Sequence, residues 1–490
     1  MTEANGEPQE SLDPQDWEEL RELAHRAVDE SLDYLASVSS RPVWQPVPEH
    51  VLERLRQPAP RSPEGAERAY EAFRELVLPY PMGNIHPRFW AWYMGSGSGS
   101  GALAEFLAAI VNPNLGGGNH VANYVEAQVV DWCKEIVGFP PDSGGLLVSG
   151  GSMANVVGHT VARNVMAAAD VRGQGVQAVG QRLTVYASEQ VHSCHQKALE
   201  LLGLGAASLR QVPVNADFTI DLASLGRMVQ ADRAAGAKPI CVVGNAGTIN
   251  TGAVDDLGAL ADFCARERLW FHVDGAIGAP LALSPRHRSL LAGLERADSL
   301  AIDLHKWLHV PFEAACALVR NRQAHRDAFA LTPEYLERTE RGLASGPYWF
   351  SEYGVQLTRG FRALKVWMLL KEHGLDRYAR LIERNIAQAH LLAELVAEQP
   401  ELELMAPVKL NIVCFRYDPG GISSEALNAL NAELLIRLHE AGEFAPSYTT
   451  LAGRYCLRAA ISNHRTTDDD LRAFVPAVLQ MGRTLVREAR

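Results

Sequence analysis

The spacing of apolar residues changes more than once along the chain, and each change predicts a different kind of element. Between positions 17 and 38 the apolar residues fall at Leu20, Leu23, Ala24, Ala27, Val28, Leu32 and Leu35. This is helical spacing with a single stripe, and a helix ahead of the main body must bury such a stripe on that body or on a second subunit. The polar, acidic stretch 1–14 reads as a disordered tail, and proline-rich stretches at 41–48 and 56–63 break the chain. From the middle onward, short strand-like runs at 145–148, 183–188, 240–243, 269–273 and 299–302 alternate with helix-like segments. That alternation predicts a mainly parallel sheet covered by helices. Long amphipathic helices begin near Phe361, and strand-like pieces at 410–417 and 455–461 suggest a smaller carboxyl-terminal α+β domain. The expected divisions are a tail and helical segment (1–97), a large α/β domain (98–376) and a small α+β domain (377–490).

Length and composition narrow the function classes. A chain of 490 residues exceeds one compact core. With 47% hydrophobic and 21% charged residues it is an ordinary globular composition. A net charge of -12 argues against a nucleic-acid or anionic-membrane partner. The seven cysteines are scattered without a C-x-x-C pair, which suits reduced thiols better than disulfides or zinc. The acidic start argues against a secretory signal, and no apolar run approaches the roughly 20 residues of a membrane span. A cytoplasmic protein without a metal site is the expectation.

The chemistry concentrates in a few short stretches. Lys306, within Leu304-His305-Lys306-Trp307, lies just past the 299–302 run. A desolvated lysine there is expected to have a lowered pKa and to attack carbonyls. Asp274 ends the 269–273 run, so its carboxylate should emerge at the carboxyl edge of the sheet, where α/β proteins bind ligands. A lysine that can form a Schiff base and an aspartate that can keep a ring nitrogen protonated are what pyridoxal phosphate (PLP) requires; the alternative is a buried ion pair. Ser149-Gly150-Gly151-Ser152, between a strand and a helix, could cradle a single phosphate. Thr248 could add a hydroxyl, and His192, read as just inside a helix start, could lie on one face of a planar ring. The aromatic run Phe89-Trp90-Ala91-Trp92-Tyr93 reads as core on pattern alone, and the Gly95–Gly101 glycine-serine run as a linker or a close approach to a ligand.

Taken in order, His86-Pro87-Arg88-Phe89, Ser149-Gly150-Gly151-Ser152-Met153-Ala154-Asn155, Val185 to His192, Ala246-Gly247-Thr248, His272-Val273-Asp274-Gly275-Ala276 and Leu304-His305-Lys306-Trp307 resemble the group II PLP-dependent amino-acid decarboxylases. The resemblance covers about residues 70–485. It implies the aspartate-aminotransferase-like fold (fold type I) and a homodimer with active sites at the subunit interface. It also implies roles: Lys306 for the Schiff base, Asp274 for the pyridine nitrogen, and His192 and Ala276 for the two ring faces. Gly151, Ser152, Thr248, Asp303 and His305 would hold the phosphate or its surroundings, and Trp90, Trp92 and Tyr93 would line the substrate pocket. Three departures stand out. Asp303 replaces the Asn of the aromatic-amino-acid branch, and the glycine-serine run replaces a Pro- and Thr-containing segment. Where the family carries a proton-donating loop tyrosine, a gapless count gives Phe350, with Tyr348 and Tyr353 nearby. The expected activity is decarboxylation of an L-amino acid, with an aromatic substrate favoured by the residues at 90, 92 and 93. An O2-using aldehyde synthase and a catalytically silent PLP-binding scaffold are the alternatives.

Overall fold

A computed structural model of the chain describes residues 10–331 and 338–489. Its twelve strands are β1 (Phe89–Trp90), β2 (Gly144–Val148), β3 (Leu183–Ser188), β4 (Leu209–Val212), β5 (Lys238–Asn245), β6 (Trp270–Asp274), β7 (Ser299–Asp303), β8 (Ala315–Val319), β9 (Leu402–Leu404), β10 (Ile412–Tyr417), β11 (Ala445–Leu451) and β12 (Arg454–Ala460). The large sheet runs in the order β2-β8-β7-β6-β5-β3-β4. Only β8 opposes its neighbours, pairing antiparallel with both β2 and β7. The β3, β6, β7 and β8 strands are buried at every position, as a parallel sheet covered on both faces requires. Apolar residues accordingly occur on both faces of these segments rather than on one alone.

Because β3, β5, β6 and β7 run parallel and β2 shares their direction across antiparallel β8, their carboxyl ends lie on one edge of the sheet. The chain leaves that edge at residues 149, 189, 246, 275 and 304. The helix after β2, Gly151–Met166, buries nine residues against the sheet. Lys306 lies in the loop from β7 to β8, where the Leu304 and His305 amides both donate to the Ala314 carbonyl at 3.1 Å. Trp307 is fully buried beside it, and its indole donates to Asn385 Oδ1 at 3.0 Å.

The second sheet, β1-β11-β12-β10-β9, is built mostly from strands after residue 400. Its first strand comes from the amino-terminal side, because β1 pairs in parallel with β11. The Arg362–Ala397 helix packs on both the Val121–Val137 helix and β10, with a break at Gly374 (φ 67°). The glycine-serine run is not a linker. A helix, Gly99–Val111, grows out of it, capped by Ser98 Oγ on the Gly101 amide. Gly95 presses on the lysine loop so closely that a Cβ there would lie 1.6 Å from the His305 carbonyl oxygen. The 17–38 pattern becomes the Trp17–Ala36 helix, which buries no residue fully within the chain. Among the described residues no helix is long and apolar enough to cross a membrane.

Candidate active site

The loops at the carboxyl edge enclose a cavity of about 260 Å³ whose lining includes Gly151, Ser152, Asn155, His192, Asp274, Ala276, Asp303, His305 and Lys306. The Gly151–Met166 helix aims its amino terminus at this space and has no side-chain cap. Its first-turn amides are therefore available to an anion, which the helix end also favours electrostatically. Gly151 is required by the space itself: a Cβ would sit 2.8 Å from Asp303 Oδ2 and 3.1 Å from Ala276 Cβ.

Lys306 Nζ ion-pairs with Asp303 Oδ2 at 2.9 Å. The sequence led us to expect a lowered lysine pKa, and the structure reverses that. Burial does push it down, but the Asp303 and Asp274 charges and the Asp303 hydrogen bond outweigh burial and leave the pKa raised. The other Asp303 oxygen, Oδ1, has no hydrogen-bond partner among the described residues. Asp274 is nearly buried. Burial alone would raise its carboxyl, but His195, then Lys306 and the Ala276 amide, hold it well below the usual carboxylate range. Its Oδ2 accepts from His195 Nε2 at 2.9 Å and from Asn155 Nδ2 at 3.2 Å, and Oδ1 accepts from the Ala276 amide at 3.1 Å. His305 stacks obliquely on Phe312 (ring centroids 4.8 Å apart) and receives the Ala314 amide on Nδ1. His192 is exposed at the cavity mouth. It sits two residues before the Cys194–Leu201 helix rather than inside it, with Nδ1 accepting from the Cys194 amide.

Other expected residues lie elsewhere. Thr248 is buried, but its hydroxyl pairs with Thr251 and accepts from the Ala253 amide, and it does not line the cavity. Trp90, expected in a substrate pocket, is core: its ring packs between Phe444 and Phe474, and its indole donates to Thr466. Trp92 is exposed and borders a separate surface groove with Trp44, Met82 and Ile436. Tyr93 packs edge-on against Trp307 while its hydroxyl bonds Asn411, so it braces the lysine loop from behind. Tyr348 and Tyr353 line a different, smaller cavity, Tyr348 against Tyr124 and Tyr353 against His325. Conversely, Asn155, Asn245, Cys194, Ile249 and Ile277 join the lining without having been singled out. Asn155 stood inside the glycine motif, but its contact with Asp274 depends on tertiary placement alone.

Residues 48–418 match the family model described as the pyridoxal-dependent decarboxylase conserved domain. The chain belongs to the pyridoxal-dependent decarboxylase family. It is 34% identical over 458 residues to an aromatic-L-amino-acid decarboxylase of Bacillus atrophaeus, with 93% of each chain covered. It is 30% identical to a phenylacetaldehyde synthase of Arabidopsis thaliana, covering 92% of this chain and 93% of the relative. The crystal structure of an Oryza sativa TDC with PLP and tryptamine superposes with a TM-score of 0.88 at 28% identity, over 97% of this chain and all of that one. This decarboxylase therefore has the fold type I architecture and works on amino acids with PLP. The cavity suits that cofactor: it offers one lysine, one strand-end carboxylate, and a helix amino terminus approached by a glycine with no room for a side chain.

Proposed function

We propose that the enzyme converts an aromatic L-amino acid to its amine and CO2, using the residues around Lys306. The observation that carries this reading is the meeting of Lys306, Asp303, Asp274 and the Gly151 helix end in one cavity. Bound PLP supplies an electron sink for the pair released when the carboxylate leaves. Lys306 would hold the cofactor covalently, and Asp303 Oδ2 is placed to take the proton the lysine must lose first. Asp274 would hold the proton on the ring nitrogen, while His192 and Ala276 cover the ring faces. Gly151, Ser152 and His305 would hold the cofactor's phosphate. Aromatic specificity is supported by the Bacillus relative's activity and by the tryptamine held in the rice structure.

The working unit is a cytoplasmic homodimer in this reading. Leu103, Phe106, Ile110 and Val111 are exposed on the Gly99–Val111 helix, as are Trp17, Leu20, Val28 and Leu32 on the Trp17–Ala36 helix. So large an apolar surface is characteristic of a subunit interface. The seven free, buried cysteines suit a reducing compartment. In a dimer, Trp92, Tyr348 and Tyr353 would serve the partner's cavity rather than their own.

A second reading is favoured by Phe350, which is buried and carries no acid, and by the synthase relative. Here the amino acid, O2 and water give aldehyde, CO2, ammonia and hydrogen peroxide. Incubating the PLP-loaded protein with a panel of L-amino acids, and scoring CO2, amine, ammonia and peroxide together, separates the readings. CO2 and amine from tryptophan, tyrosine or phenylalanine support the first. Turnover confined to acidic amino acids overturns its substrate class.

A further inference from the structure

Behind Asp274 lies a buried polar network that the reaction as described does not use. His159, His195 and His272 are each at most 1% exposed. His195 Nε2 lies 2.9 Å from Asp274 Oδ2, and His195 Nδ1 lies 2.8 Å from His159 Nε2. A carboxylate only accepts, so His195 Nε2 carries its hydrogen. In neutral His195 the Nδ1 is then an acceptor, and His159 Nε2–H must be the donor. The remaining His159 nitrogen, Nδ1, has no partner among the described residues, which suits a bare lone pair better than an orphaned N–H.

The direction of a second chain is fixed by an indole, which can only donate. Trp270 Nε1 donates to Ser299 Oγ at 2.8 Å, leaving the serine hydroxyl to donate to His272 Nδ1, also at 2.8 Å. His272 Nε2–H then donates to Asn155 Oδ1 at 2.7 Å, which turns the Asn155 amide nitrogen toward Asp274 Oδ2. Both chains point their hydrogens at the same oxygen. The three histidines also bring ligand atoms close together, but both nitrogens of His195 and of His272 are already committed to these bonds, which accounts for the cluster without an ion.

We propose that His195, oriented by His159, is a positioning residue that acts through Asp274, the two donor chains converging on Oδ2 so that the carboxylate stays anionic with Oδ1 facing the cofactor's ring nitrogen. The proposal rests on the assignment of Asp274 to that nitrogen. The groups facing the pair are His159 from the Gly151–Met166 helix, His272 beside Asp274 on β6, Cys194 next to His195, and Lys306 and Asp303 across the cavity. Asp274 would therefore still feel Lys306 without His195, but would lose its shortest hydrogen bond.

The test is made on holoenzyme reconstituted with PLP carrying 15N at the ring position, read by solid-state NMR from pH 6 to 9. In wild type the ring nitrogen is expected to be protonated throughout. In His195→Val it should lose its proton within that range, with kcat down about ten- to hundredfold and KM within about twofold. His195→Gln, whose amide can still donate to Oδ2, should restore both the shift and most of the rate. His159→Leu, which leaves the Asp274 contact in place, should show an intermediate titration and covers the case that the valine variant misfolds. A ring nitrogen that titrates identically in wild type, His195→Val and His159→Leu overturns the relay and leaves Asp274's role standing. A ring nitrogen already unprotonated in wild type overturns the assignment of Asp274, and the relay with it.

Discussion

Lys306 Nζ lies 2.9 Å from Asp303 Oδ2, so the lysine waits as an ammonium ion paired with a carboxylate rather than as a free amine. Only the amine attacks an aldehyde, so cofactor capture depends on breaking this pair. Asp303→Asn removes the largest upward influence on Lys306 and leaves burial to act. The pKa should fall, and the rate at which apoprotein develops its visible absorbance with added PLP should reach its plateau at lower pH than in wild type. A plateau at the same pH in both proteins contradicts this account. Lys306→Ala should show no such absorbance at any pH.

Asp274→Asn should keep the cavity's shape and bind PLP, because an amide occupies the same space. It cannot hold a proton on the ring nitrogen, and kcat should drop about a hundredfold or more. Equilibrium titration with PLP, alongside steady-state rates, checks both halves. Near-normal turnover in this variant would make the carboxylate structural.

Arg359 and Glu126 form a buried pair with side chains at most 1% exposed, and the Arg359 guanidinium also binds the Leu115 and Leu147 carbonyls. The pair ties the segment before the Arg362–Ala397 helix to β2 and to the Val121–Val137 helix. Glu126→Ala leaves an uncompensated buried cation and should cost about 3–5 kcal/mol, whereas Glu126→Leu with Arg359→Met should recover much of it. Urea unfolding of the three proteins measures this. A loss below about 1 kcal/mol in the single variant would place the pair among ordinary surface bridges.

Much of the site could be read in the sequence because its parts sit at strand ends. Lys306, Asp274, Gly151 and Ser152 each follow a run of apolar residues, and a parallel sheet brings such positions to one edge whatever the loops do. Trp90 reads as core on pattern alone, as the structure has it, and only the resemblance moved it to a pocket wall; its partner β11, more than 350 residues away, is what fixes it in the core. Thr248 looked like a phosphate ligand because its loop position is right, yet Thr251 and Ala253, a few residues on, satisfy the hydroxyl locally. His195 lies three residues after His192, but nothing in that spacing shows that one faces the cavity mouth and the other the core. The Gly95–Gly101 run was ambiguous because glycine marks close approach without saying to what, and here the neighbour is the lysine loop's own backbone.

Acid should weaken the fold before the carboxylates titrate. Burial pushes His272 down to about 3 and His325 down to about 4. Below the ordinary histidine pKa of about 6.5 the unfolded chain takes up protons at these positions and the folded chain does not. Stability is therefore fully present above about 6.5 and falls as pH drops toward the folded values, by about 1.4 kcal/mol per pH unit for each histidine. Urea midpoints at pH 7.5 and 5 should differ accordingly. Equal midpoints would mean that these histidines are protonated in the fold or that water reaches them.

The product depends on whether an acid reaches the carbon that has lost CO2. Phe350 cannot supply one: its ring is buried beside the Arg359 guanidinium, 5.3 Å from the centroid. Tyr348 and Tyr353 flank it and carry phenolic hydroxyls. They line a cavity of their own with Pro347 and Gly145, away from Lys306 of the same chain, so in the proposed dimer any proton they give would go to the partner's site. We expect amine as the main product in air, with Tyr348→Phe or Tyr353→Phe diverting turnover to aldehyde, ammonia and peroxide. Mixing a loop variant with a Lys306→Ala chain locates the donor: the heterodimer's only working lysine then faces an intact loop from the inactive chain, and amine formation should return. Unchanged product ratios in both tyrosine variants would reduce the pair to packing, and stoichiometric peroxide from wild type would make this chain a synthase.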